Sequence, residues 1–311
     1  MSSFVRTVQG DIEPPALGPT YTHEHLLTRP AGETVREDPD LVLDDEERSA
    51  AELQLLLEAG GRGLVEVTTP ELGRDAAGLL RLAATTGFHI VAATGHICEE
   101  YWRGAVDVAA MSEAQLAGRF VRDLTEGMDG TNARAGVIKV GSSLDRITHA
   151  EHTVIRAAGA AHRETGAPIT THTTAGTVAL EQLRALEAAG VDPARVCIGH
   201  LDRRLLWKEH LALARAGCFL GYDCIGKEQY HPDAERARFI ARLVEEGHGR
   251  RILMAGDMAR RRYLRSWGGG PGYPFILREF LPRLRAEGLG EEETRALVEA
   301  NPRAFLAWPG T

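Results

Sequence analysis

The stretch AGVIKVGSSLDRITHAEHTVIRAAGAAHRETGAPITTH, residues 135–172, reads as one strand–helix–strand unit. It opens on a short apolar run, AGVIKV at 135–140. Apolar residues then recur at three- and four-residue spacing over 149–165, which predicts an amphipathic helix. A second short apolar run, APITTH at 167–172, closes the unit. Outward from this unit the same alternation repeats. Further strands are predicted at 19–25 (PTYTHEH), 63–68 (GLVEVT), 89–94 (HIVAAT), 195–200 (RVCIGH), 217–223 (GCFLGYD) and 251–257 (RILMAGD). Helix-like stretches lie at 46–59, 177–189, 204–216 and 233–247.

Eight strands alternating with helices predict an α/β fold, a (β/α)8 TIM barrel, as a single domain over 1–311. A doubly wound open sheet is the alternative. It is disfavoured because no G-x-G-x-x-G follows the first strand and no G-x-x-x-x-G-K-[ST] occurs. No linker, low-complexity tract or 20–50-residue repeat divides the chain. The most irregular stretch, MARRRYLRSWGGGPGYPF at 258–275, follows the eighth strand and reads as a long loop over an active site.

Composition narrows the function. Acidic residues outnumber basic ones, 44 to 36, for a net charge of −8, which argues against nucleic acid or an anionic membrane as partner. No apolar run approaches the ~18 residues of a spanning helix. The opening MSSFVRTVQGDIEPP lacks the pattern of a signal peptide. Cys98, Cys197, Cys218 and Cys224 are scattered without a CxxC, and read as buried, reduced thiols of a cytoplasmic protein.

The metal-capable residues share one position on this map. His23 and His25 end the first strand, Lys139 the fourth, His172 the fifth, His200 the sixth and Asp257 the eighth. In a barrel those carboxyl ends converge on one face, where barrel active sites lie. His23 and His25 are two apart, so a strand points both to one side. Imidazole and carboxylate suit Zn2+, and also Mn2+, Co2+ or Fe2+. Singly, each has a plainer explanation: a strand histidine is more often a core or surface group, and Asp257 could cap a following helix. Lys139 is harder to explain that way, because an inward ammonium must find a partner or lose its charge. The other eight histidines lack this placement and mostly read as solvated, with His96 and His231 in strand-end loops. Glu66, Thr68, Tyr101, Trp102, Asp223, Lys227, Tyr230, Arg260 and Arg261 are the expected pocket residues. One arginine of Arg260–Arg262 is a candidate partner for an anionic substrate group. Trp308 is expected in the core, Trp102 and Trp267 at the mouth.

Taken together, GPTYTHEHL (18–26), VEVTTPELGRD (65–75), GVIKVGSS (136–143), PITTHT (168–173), IGHLDR (198–203), GYDCIGKEQYHPDAERA (221–237), ILMAGDMARRRYLRSWGGGPGY (252–273) and ANPRAFLAW (300–308) resemble the phosphotriesterase family of the amidohydrolase superfamily. DCIGKEQYHPD and the DMARRRYL loop look like its phosphotriesterase homology, or parathion hydrolase-related, subgroup. The resemblance implies two divalent metal ions. His23, His25 and Asp257 would hold the more buried one, and His172 and His200 the other. Lys139, carboxylated by CO2, would bridge them as a carbamate. It also implies a homodimer.

Such a pair would share a hydroxide that attacks a carbonyl carbon or phosphorus, with Asp257 taking up the proton. At Cys224 efficient organophosphate hydrolases of the family carry histidine and lactonases tend to carry arginine, so neither signature is intact. The reading is therefore a binuclear metal-dependent hydrolase of a small ester, lactone or amide, with phosphotriesters as promiscuous substrates. Two other classes fit parts of the pattern: a metal-binding protein without turnover, and a barrel enzyme using Lys139 as a Schiff-base nucleophile.

Overall fold

The computed structural model describes residues 3–310. Strands β1 (Phe4–Thr7) and β2 (Gly10–Ile12) form an antiparallel hairpin. Eight parallel strands follow: β3 (Thr20–Glu24), β4 (Gly63–Glu66), β5 (His89–Gly95), β6 (Val137–Ser142), β7 (Ile169–Thr173), β8 (Val196–Ile198), β9 (Phe219–Tyr222) and β10 (Ile252–Met254). They lie side by side in chain order, β3 to β10. The two outer strands nearly meet: just beyond β10, the Asp257 N–H donates to the His23 carbonyl at 3.2 Å. The result is a nearly closed, single-domain TIM-type barrel.

Helices α1 (Gly32–Glu37), α2 (Glu46–Glu58), α3 (Ala76–Thr86), α4 (Glu113–Thr125), α5 (His149–Thr165), α6 (Ala179–Ala188), α7 (Trp207–Ala216) and α8 (Asp233–Glu245) lie between the barrel strands. Their ends follow local chemistry. Helix α5 starts in a capping box of Thr148 and Glu151 and stops at Gly166, whose φ of 77° is open to glycine. Strand alternation sorts the core into two layers. Leu64, Ile90, Ile138, Ile198 and Leu220 share the larger core with helix residues. Val65, Val91, Val137, Phe219 and Leu253 fill the barrel interior, together with Val5, Leu17 and Phe305.

Several predicted strands are shorter than expected, two of them where site residues stand. The windows 195–200 and 251–257 shrink to Val196–Ile198 and Ile252–Met254. His200 (φ 58°) and Asp257 (φ 46°) take left-handed backbone, which ends the extended geometry just before each side chain. A small second sheet was not anticipated. Strand β11 (Ala307–Trp308) pairs with β1, and Trp308 is buried as expected, its Nε1 donating to the Gly136 carbonyl at 3.0 Å. No helix among the described residues is long and apolar enough to cross a membrane.

Candidate metal centre

Strand β3 carries the first irregularity that matters. Its pairing with β4 runs Tyr21–Leu64 and then Glu24–Glu66, so three residues on β3 span two on β4. This bulge puts Tyr21 and Glu24 on the outer side and turns His23 and His25 inward. Lys139, one strand-period beyond Val137 on β6, also points inward. Its placement needs a glycine opposite: a Cβ on Gly95 (φ 104°) would collide with the Lys139 carbonyl.

His23, His25, Lys139, His172, His200 and Asp257 all line one cavity of about 60 Å³ at the carboxyl ends of the strands. Lys139 Nζ lies 3.0 Å from His23 Nε2 and donates to the Thr171 carbonyl at 3.3 Å. His172 Nδ1 and His200 Nε2 face each other at 2.7 Å. Asp257 Oδ1 is 3.4 Å from His25 Nε2 and 3.9 Å from His23 Nε2. One donor atom each from His23, His25 and Asp257 lies within 4.8 Å of the others, the spacing of a group able to hold one ion.

The electrostatics suit such a role. Burial pushes His23 down to about 3, with the Lys139 charge adding to the effect and Asp223 opposing it. Burial also holds His172 well below its ordinary range, reinforced by His200 and Lys139. Both shifts favour the neutral ring, the form that can offer a lone pair to a cation. Burial lowers Lys139 to about 8 despite the nearby Asp223 and Asp257 carboxylates. Asp257 goes the other way: burial alone would raise it, but Lys227, His25 and other neighbours hold it well below the usual carboxylate range. Imidazoles lowered by burial, a carboxylate held toward its ionised form and a lysine amine lowered toward neutral pH fit the donors of a divalent metal site.

A layer of acids stands behind the histidines. Asp223 binds two of them, with Oδ1 2.6 Å from His200 Nδ1 and Oδ2 3.1 Å from His23 Nδ1. Thr68 Oγ1 is 2.8 Å from His25 Nδ1 and donates to Glu66 in turn. These contacts fix ring orientation and tautomer. Cys224 Sγ lies 3.9 Å from His200 Nδ1, on the side facing Asp223.

Of the nine expected pocket residues, Tyr101 and Arg260 line the cavity. The other seven do not. Glu66, Thr68 and Asp223 lie behind the histidines they bind. Lys227 is buried and bonded to Asp257 at 2.6 Å. Tyr230 packs under Arg203, and Arg261 turns away to Asp44 at 3.2 Å. Trp102 is buried and faces a wider cleft of about 790 Å³ formed by the loops after β3, β5 and β6. Of the 258–275 segment, only Ala259 and Arg260 reach the cavity. Much of the remainder packs on α2, where Glu52 accepts the Ser266 and Tyr273 amides and Arg48 covers Trp267. His96, a candidate from a strand-end loop, is buried against Glu71 at 2.8 Å and does not line the cavity, and His210 is fully buried, unlike the mostly solvated set expected outside the strand ends. Glu24 was overlooked. Its sequence signal was an acid placed between two inward histidines, and hence outward, on a strand buried on both sides.

A sequence model of the phosphotriesterase family matches residues 3–306. The chain is 35% identical over 290 residues to the phosphotriesterase homology protein of Escherichia coli, covering 93% of this chain and 98% of that protein. It is 32% identical to human N-acetyltaurine hydrolase, with 99% of each covered. Among solved structures, a lactonase from Listeria monocytogenes superimposes with a TM-score of 0.96 at 34% identity, covering 99% of this chain and 100% of that one. The Escherichia coli protein, crystallised with phosphate in its active site, superimposes with a TM-score of 0.89 at 34% identity, covering 95% and 100%.

Proposed function

This chain belongs to the phosphotriesterase family, and from that premise we propose that it is a binuclear metal-dependent hydrolase of a small ester, lactone or amide. The observation that carries the reading is the convergence of His23, His25, Lys139, His172, His200 and Asp257 on one cavity, with no carboxylate within ion-pair distance of the buried Lys139 among the described residues. Lactonase and N-acyl amine hydrolase relatives support carbonyl substrates.

His23, His25 and Asp257 would hold one ion, and His172 and His200 the second. Lys139 would bridge them after its neutral amine adds to CO2, forming an N–C bond and releasing a proton. That change removes the cost of an inward cation. Two divalent ions, Zn2+ first among the candidates, would supply a Lewis acid for the substrate oxygen and an activated water. Asp257, ionised and at the cavity wall, is the residue to take up the proton of the attacking water and deliver it to the leaving group. Asp223 and Thr68 hold His23, His200 and His25 in orientation. Tyr101 and Arg260 shape the substrate side, with Arg260 anchored by Asp38 at 2.7 Å and its remaining donors available to an anionic group. A phosphotriester would be a poor, promiscuous substrate. The active species would be a homodimer in the cytoplasm.

The test has two parts. Metal analysis of protein reconstituted with CO2 and zinc should find close to two ions per chain, and Lys139→Ala should lose the second, partly restored by a short carboxylic acid. No ion, or a single ion, in the reconstituted protein rejects the binuclear site. Ranking kcat/KM over lactones, N-acyl amines, aryl esters and phosphotriesters then identifies the bond.

A further inference from the structure

Three consecutive amides at the end of β10 all point at β3. Gly256 N–H donates to Glu24 Oε1 at 2.6 Å, and Met258 N–H donates to Glu24 Oε2 at 2.8 Å. Between them, Asp257 N–H donates to the His23 carbonyl at 3.2 Å. Successive amides around a left-handed residue form a concave nest that attracts an anion. Here the nest is filled from within the chain, by a carboxyl group with no exposed surface, which burial raises to about 8 while the Met258 and Gly256 amides favour its ionised form. The residue at its centre is Asp257, whose φ of 46° lies in the left-handed region, uncommon for side chains with a Cβ though better tolerated by aspartate than by most.

We infer that Glu24 is a positioning residue: its two carboxyl oxygens clamp the amides on either side of Asp257 and so hold the Asp257 side chain toward His23 and His25. The β3 bulge gives the tripeptide His23-Glu24-His25 two faces. Two imidazoles point into the cavity, and the acid between them reaches outward to grip the strand that carries the third member of the group. The contact also lies on the seam where the first and last barrel strands meet, so the clamp couples barrel closure to site geometry. Its consequence for metal affinity rests on the metal-site reading above; the clamp itself does not.

The comparison that tests this uses Glu24→Gln, with Glu24→Asp as a second variant should the first not fold. The control is Glu52→Gln. Glu52 is an equally buried carboxylate that also accepts two backbone amides, Ser266 at 2.7 Å and Tyr273 at 3.2 Å, but away from Asp257. Two quantities are read on full-length protein: residue-resolved amide exchange at 256–258 without metal, and zinc affinity by chelator competition. Glu24→Gln should speed exchange at 256–258 and weaken zinc binding by about 10-fold or more, the usual effect of losing a group that orients a ligand. Glu52→Gln should do neither, while loosening 266–273. Unchanged exchange at 256–258, or equal loosening there in both variants, overturns the clamp. So does faster exchange with unchanged zinc affinity. If the unsubstituted protein binds no zinc, the metal reading fails by itself, and the exchange comparison alone decides on Glu24.

Discussion

The ammonium of Lys227 lies 2.6 Å from Asp257 Oδ2 and also donates to the Asp257 carbonyl, with the Tyr263 ring centre 4.9 Å away. Lys227 is 1% exposed. Burial would lower its pKa, but Asp257 overrides burial and raises it. The pair is thus a buried ion pair whose acid is also a candidate metal ligand. Removing one partner of a buried pair strands the other charge, at a cost of about 3–5 kcal/mol. Lys227→Met should therefore lower the melting temperature of metal-free protein strongly. Zinc-loaded protein should lose less, since the ions supply the missing positive charge. Calorimetry with and without zinc checks this, and equal losses in both forms would contradict it.

Thr68 stands between Glu66 and His25, with its hydroxyl 2.8 Å from His25 Nδ1. Thr68→Val keeps the shape and removes the link. Zinc affinity should fall about 10- to 100-fold, because the ring loses the partner that sets its tautomer. Competition against a chromogenic chelator measures the change. An affinity within a factor of two of the parent would show that Thr68 does not orient His25.

His210 offers a pH test outside the site. It is fully buried, with Nδ1 2.8 Å from the Tyr222 hydroxyl and Nε2 3.0 Å from the Arg204 carbonyl. Burial pushes it down to about 4, against an opposing contribution from the carbonyl. The folded state therefore binds this proton less readily than the unfolded chain, where the pKa is about 6.5. The stability from the neutral ring is complete above pH ~6.5 and is lost as pH falls toward ~4, on the order of 3 kcal/mol in total. In metal-free protein, His210→Gln should lose less stability than the parent between pH 7.5 and pH 5, as read by urea unfolding. Equal losses would rule out His210 as a contributor.

Arg74 tests the scaffold apart from the chemistry. Its buried guanidinium binds Asp129 at 2.7 Å and Asp123 at 2.9 Å, joining the loop after β4 to α4. Arg74→Met should cost about 1.5–3 kcal/mol of stability, since Asp123 and Asp129 keep part of their hydration, and leave zinc stoichiometry unchanged. Loss of zinc from folded Arg74→Met would mean that this ion pair reaches the metal cavity.

The eight barrel strands were legible because each is a local apolar run, and α5 could be read from 149 to 165 from its spacing alone. The sheet of β1, β2 and β11 was not. Its strands have two to four residues, and Phe4 pairs with Trp308 from the other end of the chain, so no local pattern records it. The pocket residues were read least well. Position after a strand does not say which way a side chain turns, and Arg260 faces the cavity while Arg261 binds Asp44.

By itself, then, the sequence determined the alternation of strands and helices and the location of His23, His25, Lys139, His172, His200 and Asp257 at strand ends. Both are matters of periodicity, which a chain carries locally. Tertiary structure decided how those six face one another. The bulge in β3, the left-handed turns at His200 and Asp257, and the acids Glu24, Glu66 and Asp223 behind the six side chains arise only when strands far apart in sequence are paired. Close placement of like donors in a buried cavity is unfavourable alone, so partners supplied by the rest of the fold must hold it.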